Sequence, residues 1–247
     1  MSPTYDKIGA RYSRQRRADP RIAAVIRAAL GNVHTVVNVG AGTGSYEPRD
    51  IDVVGVEPSA VMLAQRPSHA APAVRATAES LPFGDKSFDV ALAVLTIHHW
   101  GDQRRGLEEC ARVARRRVVL FTWDPESSGF WLMREYFPET LALDRRIFPS
   151  MTDIADVLGE LEIEPVPIPA DCIDGFLGSY WRRPRAYLDP AIRGGMSSFS
   201  LIPDPTVGLA RLDRDLESGA WTESHADLLE TDALDIGYRI LIANRNA

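Results

Sequence analysis

Lysine is nearly missing from this 247-residue chain, occurring at Lys7 and Lys86 alone, so arginine carries almost all the positive charge. We read that imbalance as coding bias and not as function. Cysteine is scarce as well. Cys110 and Cys172 form neither a disulfide framework nor a metal-binding spacing, and a reducing, cytoplasmic compartment fits. Net positive charge is absent: the formal charge is -6, whereas a nucleic-acid binder normally offers phosphates a basic face. The arginine groups at Arg14, Arg16, Arg17 and at Arg115, Arg116, Arg117 are expected to be solvated surface or ends of elements. No apolar run approaches membrane-spanning length, and the start MSPTYDKIGARYSRQRRADPRI lacks the apolar centre of a signal peptide. No internal repeat or low-complexity tract occurs. Nucleic acid and membrane are not expected partners, a small molecule is, and monomer and homodimer both stay open.

An apolar content of 45% is ample for a buried core. Asp19, Pro20 and Gly31 bracket the run ADPRIAAVIRAALG as N-cap, first helical residue and stop, which predicts a helix. Short β-branched runs follow at residues 35–39, 52–56, 88–94 and 118–122, near-continuously apolar as a parallel sheet covered on both faces requires. Helical spacing in PSAVMLAQR and DQRRGLEECARVARR lies between them. The alternation is α/β to about residue 124. Beyond it, residues 127–148 and 152–161 look helical, EIEPVPIPADC reads as a strand, and residues 170–203 read as a helical cap. The ending DALDIGYRILIANR returns to strand character.

Three glycines, Gly40, Gly42 and Gly44, close the first strand in VVNVGAGTG; taken alone they are a weak signal, a plain tight turn being the alternative. The next strand ends at Glu57, where a doubly wound fold places an acid against ribose hydroxyls. The spacing is G-x-G-x-G and not the dinucleotide G-x-G-x-x-G, and Ser45 to Ile51, with Pro48, leaves room for one helical turn at most. A pyrophosphate needs a helix N-terminus. S-adenosylmethionine, which has an adenosine and no phosphate, fits this loop better.

The segments VVNVGAGTG, VVGVEPS, ATAESLPFGDKSFDVALAVLTIHHW and RVVLFTWDP together resemble the class I S-adenosylmethionine-dependent methyltransferases, specifically the type 11, ubiquinone/menaquinone-methyltransferase-like group. The resemblance runs from residue 5 to about residue 124 and is loose beyond. It implies an α/β Rossmann-like fold with a mostly parallel sheet, an antiparallel last strand and a helical cap after the fifth strand. With the change of pattern after residue 124, this divides the chain into an expected cofactor-binding core with an N-terminal lid helix at 1–124, a substrate cap at 125–233 with an additional strand near 162–168, and a C-terminal strand at 234–247. The resemblance implies that Gly40, Ala41, Gly42 and Gly44 line the methionine and ribose side, that Glu57 binds the ribose, and that Pro58 and Met62 pack near adenine; Met62 is equally a helix-core residue. Where the family often has an acid, this chain has Thr77, so Ala78 and Glu79 become the expected adenine-edge residues. The resemblance also sets Val94 and Leu95 beside the cofactor's amino acid group and sulfonium, and folds an N-terminal helix carrying Tyr12 and Arg16 over it. Arg16 is a candidate for the cofactor carboxylate, a surface arginine being the alternative.

His98 and His99 follow the fourth strand. Adjacent side chains diverge and no third ligand is spaced near them, which disfavours a metal. The open readings are a structural pair or a general base, for which imidazole suits neutral pH; His99 sits where the family pattern more regularly has histidine. Trp123, Trp131, Tyr180 and Trp181 are candidates for an apolar substrate chamber, or plain core, and Arg182 for an acidic substrate or solvated charge. The expected reaction is methyl transfer to oxygen, nitrogen or carbon of a small molecule, leaving S-adenosylhomocysteine. The alternatives are a non-methylating enzyme of the same fold (cyclase, decarboxylase or rearrangement) and a non-catalytic cofactor-binding sensor.

Overall fold

The computed structural model describes residues 16–127, 130–196, 199, 201–202 and 204–245. Tyr12, Lys7 and the expected lid helix lie outside them. Helix α1 (Pro20–Leu30) starts and stops where the caps predict: the Asp19 carboxylate accepts from the Arg21 N–H at 3.0 Å, and Gly31 ends it at φ 72°. Its buried residues Ile22, Ile26 and Leu30 recur every four positions and so form one face.

Seven strands form the main sheet: β1 (Thr35–Val39), β2 (Asp52–Val56), β3 (Ala73–Val74), β4 (Phe88–Val94), β5 (Ala114–Trp123), β6 (Glu162–Pro165) and β7 (Tyr238–Asn244). Their order is β3-β2-β1-β4-β5-β7-β6, with β1 to β5 mutually parallel and β7 antiparallel to both β5 and β6. Val36, Val37, Val90, Leu92, Val119 and Leu120 are fully buried, because α2 (Ala60–Ala64) and α3 (Gln103–Val113) alternate with the strands and help cover the sheet.

Two boundaries differ from the sequence reading. Helix α3 stops at Val113 and β5 begins at Ala114, earlier than expected. The three arginines belong to this strand: Arg115 pairs with Asp89 at 2.9 Å, while Arg116 and Arg117 donate to the carbonyls of Asn32 and Ala29. The strand expected near 162–168 is two pieces, β6 in the main sheet and Ile168–Pro169 paired with Ala233–Leu234. In the segment after β5, Pro138 separates a turn at Leu132–Tyr136 from α4 (Glu139–Ile147), followed by α5 (Met151–Leu158) and α6 (Thr206–Ser218). Aromatic residues of this segment, among them Trp131, Trp181 and Tyr187, join one hydrophobic cluster with Val36 and Phe121 of the sheet. No helix among the described residues is long and apolar enough to cross a membrane.

Candidate active site

The site begins where β1 ends. The N–H groups of Gly40 and Ala41 both donate to the Val56 carbonyl, at 2.8 and 2.9 Å, which draws the glycine turn over the end of β2. Gly40 has φ 71°, and the Thr96 side chain fills the space where a Cβ would stand, so only glycine fits. The Gly42 N–H donates to Glu57 Oε2 and the Ser59 N–H to Glu57 Oε1, each at 2.9 Å. These bonds fix the plane of a carboxylate that is 5% exposed.

No helix separates β1 from β2. The loop that replaces it turns two polar side chains inward. Tyr46 donates its hydroxyl to Asp174 at 2.9 Å. Glu47 accepts from Arg66 at 2.7 and 2.8 Å, from Asn38 Nδ2 at 3.2 Å and from the Ala71 N–H at 3.1 Å, and Arg66 also donates to the Gly42 carbonyl. The glycine turn is therefore clamped from behind by a buried ion pair.

A cleft of about 550 Å³ opens on this turn, within the usual range of roughly 300–1,000 Å³ for small-molecule sites. Gly40, Ala41, Gly42, Glu57, Pro58 and Met62 line it, as do Thr77, Ala78, Glu79, Val94, Leu95, Arg16 and His99. Gly44 does not; it lines a separate groove, and its missing side chain makes room for Glu47 and Ala70. Glu79 spends Oε1 on the N–H groups of Gly101 and Asp102 and so also holds the loop after β4. That loop starts abruptly: Leu95 adopts φ 50°, and the next turn, Ile97–His99, swings His99 across the cleft.

Arg16 borders the cleft, but its fork closes on a protein carboxylate. Nε and Nη2 donate to Asp174 at 2.7 and 3.1 Å, so those two donors of the residue expected to meet the cofactor carboxylate are engaged by the protein. Asp174 is fully buried and also accepts from Tyr46, so the ion pair with Arg16 sits inside the protein. The Arg16 charge reaches the histidines as well. Burial, then Arg16, pushes the His99 imidazole down to about 4, leaving it neutral at pH 7. His98 lies well below its ordinary value, through burial first and then His99 and Arg16. Its ring is sandwiched between His99 and Phe148, at 3.8 and 4.2 Å, and does not line the cleft; that removes it from contact with a substrate there.

The expected chamber residues also lie elsewhere. Trp123, Trp131 and Trp181 are buried and donate their indole N–H to the carbonyls of Ile236, Trp181 and Ile168. Tyr180 carries the Arg183 guanidinium 4.7 Å above its ring, and Arg182 donates to the carbonyls of Leu229 and Thr231. All five hold the region after β5 together and none lines the cleft. Sequence reading missed Asn38, Thr96 and Trp100, which do. A polar residue inside the apolar run VVNV was the available signal for Asn38; Asp174, 158 positions from Arg16, left none.

Asn38 tests whether an S-adenosylmethionine group fits. Its Nδ2 must face Glu47, because a carboxylate only accepts. Among the described residues nothing then bonds Oδ1, a buried acceptor in a cleft-lining residue that an ammonium group would satisfy. With Glu57 for two hydroxyls and no helix for phosphates, the donors and acceptors present fit an amino acid and an adenosine.

Comparison with known proteins agrees. The family described as "Methyltransferase domain" matches residues 37–122. A crystal structure from Anabaena variabilis ATCC 29413, assigned as a methyltransferase of an antibiotic biosynthesis pathway, superposes with a TM-score of 0.83 at 32% identity, covering 93% of this chain and 98% of that one. The uncharacterized methyltransferase YcgJ of Bacillus subtilis is 31% identical over 122 residues, 45% of this chain and 44% of YcgJ; the match thus spans under half of that relative. The Haemonchus contortus phosphoethanolamine N-methyltransferase 2, crystallised with S-adenosyl-L-methionine, shares the fold at a TM-score of 0.58 and 15% identity, covering 99% of this chain and 58% of that one.

Proposed function

The chain belongs to the S-adenosylmethionine-dependent methyltransferases, and from that membership we propose that it methylates a small molecule by direct displacement. One observation carries the reading: Glu57, locked by the N–H groups of Gly42 and Ser59, faces a glycine turn with no helix behind it. S-adenosylmethionine supplies a sulfonium-activated methyl group, which a lone pair of the acceptor takes as the bonding pair leaves on sulfur. The residues around it bind and orient. Glu57 holds the ribose hydroxyls, Met62 and Pro58 pack on the adenine, Ala78 and Glu79 read its edge, and Asn38 Oδ1 accepts from the ammonium. Val94 and Leu95 border the reacting end. Orientation alone can supply about 7–11 kcal/mol of rate enhancement when reacting atoms are aligned. The net charge of -6 supports a small-molecule acceptor over nucleic acid. An enclosed, reducing cellular compartment suits the two free, buried cysteines.

The test is calorimetric titration with S-adenosylmethionine, S-adenosylhomocysteine and NAD, followed by mass spectrometry of acceptors. Binding of the first two and not NAD is expected, with one methyl gained by product for each cofactor consumed. Tighter binding of NAD would defeat the cofactor reading; conversion without gain of mass would assign the fold to sulfonium-assisted rearrangement instead.

His99 completes the proposal as a neutral proton acceptor that lines the cleft. With its imidazole at about 4, it is fully unprotonated from about pH 5 upward, so His99 should contribute no limb to the rate profile between pH 5 and 8. An imidazole at about 4 is a weak proton acceptor at neutral pH, so His99→Asn should lower kcat/KM by no more than about 10²-fold, the low end for a positioned base, with cofactor affinity unchanged. The same depression links to stability. Both histidines bind protons less readily folded than unfolded, so their contribution is full above about 6.5 and is lost as pH falls toward about 4. Asp144, raised to about 7, works in the opposite direction over the same range, so the histidine contribution is read as a difference: the melting temperature of the unaltered chain relative to His98→Leu should fall between pH 7 and 5. A rate unchanged in His99→Asn would return the residue to structure.

A further inference from the structure

Asp144 lies on α4 with 3% of its surface exposed. Among the described residues nothing hydrogen-bonds or pairs with its carboxylate, and burial alone pushes it up to about 7. The nearest arginine in sequence, Arg145, turns outward to Glu126 at 3.0 Å. An unpartnered carboxyl in such a place is costly unless something else meets it.

Two aromatic walls start from the cleft-lining residues Arg16 and His99, and the second ends beside this carboxyl. On one side the Arg16 guanidinium stands 5.9 Å from Phe176, whose ring meets Tyr238 edge-on at 4.8 Å. On the other side His99 touches His98, and His98 stacks on Phe148. Phe148 caps α4 one turn beyond Asp144, its N–H donating to the Asp144 carbonyl, and so shares its face. The walls converge because Phe148 packs on Trp123 at 5.5 Å, and Trp123 is the register partner of Tyr238 across β5 and β7. Arg16 and Asp174 already neutralise each other.

We propose that Asp144 anchors a protonated amine on the acceptor substrate, an apolar molecule that enters from the cofactor cleft between these walls. The inference rests on the methyltransferase reading and narrows its substrate class. A cation is favoured over a neutral donor for two reasons. It supplies the missing counter-charge, so that the carboxyl can ionise inside the protein. It also gains from the faces of the surrounding rings.

The experiment uses the full chain with and without saturating S-adenosylhomocysteine. Phenethylamine, 2-phenylethanol and phenylacetate, matched in body and differing in charge, are titrated by calorimetry at pH 8, above the value near 7 at which Asp144 ionises. The expected result is at least tenfold tighter binding of phenethylamine. Asp144→Asn should abolish that preference, Asp144→Glu should keep it, and S-adenosylhomocysteine should bind all three proteins alike. Equal binding of the three probes, no binding of phenethylamine, preference for the alcohol, or a preference that survives in Asp144→Asn would each overturn the proposal. Failure of S-adenosylhomocysteine to bind the unaltered chain would instead overturn the cofactor reading, the amine preference being scored separately in its absence.

Discussion

Glu47→Ala is expected to destabilise the fold by about 3–5 kcal/mol, the usual cost of leaving one member of a buried ion pair alone. The Glu47 and Arg66 side chains are 4% and 8% exposed, so solvent does little to screen or replace the pair. Removing the carboxylate strips partners from Arg66, Asn38 and the Ala71 N–H together. Arg66 would remain as a buried cation aimed at the carbonyls of Gly42 and Ala71. Because Gly42 belongs to the turn that also meets Glu57, cofactor affinity should fall along with stability. Urea denaturation reads the first effect and calorimetry with S-adenosylhomocysteine the second. Glu47→Ala combined with Arg66→Leu should cost less than the two single changes summed, since neither charge is then stranded. A loss below about 1 kcal/mol in Glu47→Ala would match an exposed pair and would contradict the clamp.

The contrast between that clamp and the glycine turn it supports marks how far the sequence could be read. Gly40, Gly42 and Glu57 were legible because each sits at a strand end, where period and residue type both carry information. Asp19, Pro20 and Gly31 were legible as caps for the same local reason. Glu47 and Arg66 were not: nineteen positions separate them, and a charged residue in a loop ordinarily means solvent. Asp174 illustrates the limit, since its role depends on Arg16 and Tyr46 arriving from distant parts of the chain. Aromatic residues misled in the other direction. Trp131 and Trp181 look like a binding wall in sequence, yet each has an indole N–H that a backbone carbonyl in the core satisfies, which is what a buried tryptophan requires wherever it lies. The early start of β5 was hidden because Arg115, Arg116 and Arg117 extend a helical pattern, whereas carbonyls and Asp89 at the strand edge receive their charges.

Glu57→Ala should weaken S-adenosylhomocysteine binding by about 10²- to 10³-fold, or roughly 3–4 kcal/mol, the worth of two hydrogen bonds to a charged acceptor. A carboxylate offers about four acceptor sites, and the backbone N–H groups of Gly42 and Ser59 take one on each oxygen. The ribose hydroxyls are assigned to the same two oxygens, and the backbone bonds hold them in place beforehand, so little ordering entropy is lost when the ligand arrives. Glu57→Gln sharpens the point. It keeps shape and volume, but its amide nitrogen is a donor and must face one of the two backbone N–H groups, whichever way the side chain flips. Glu57→Gln is therefore expected to lose nearly as much affinity as Glu57→Ala, whereas a site that needed only an apolar neighbour for adenosine would accept either change. The cost should fall on the ribose. Adenine, which lacks those hydroxyls, should bind the altered and unaltered chains equally, whereas adenosine and S-adenosylhomocysteine should discriminate between them. If Glu57→Ala weakened S-adenosylhomocysteine less than threefold, or weakened adenine as much as adenosine, the carboxylate would be a brace for the glycine turn and not the ribose anchor.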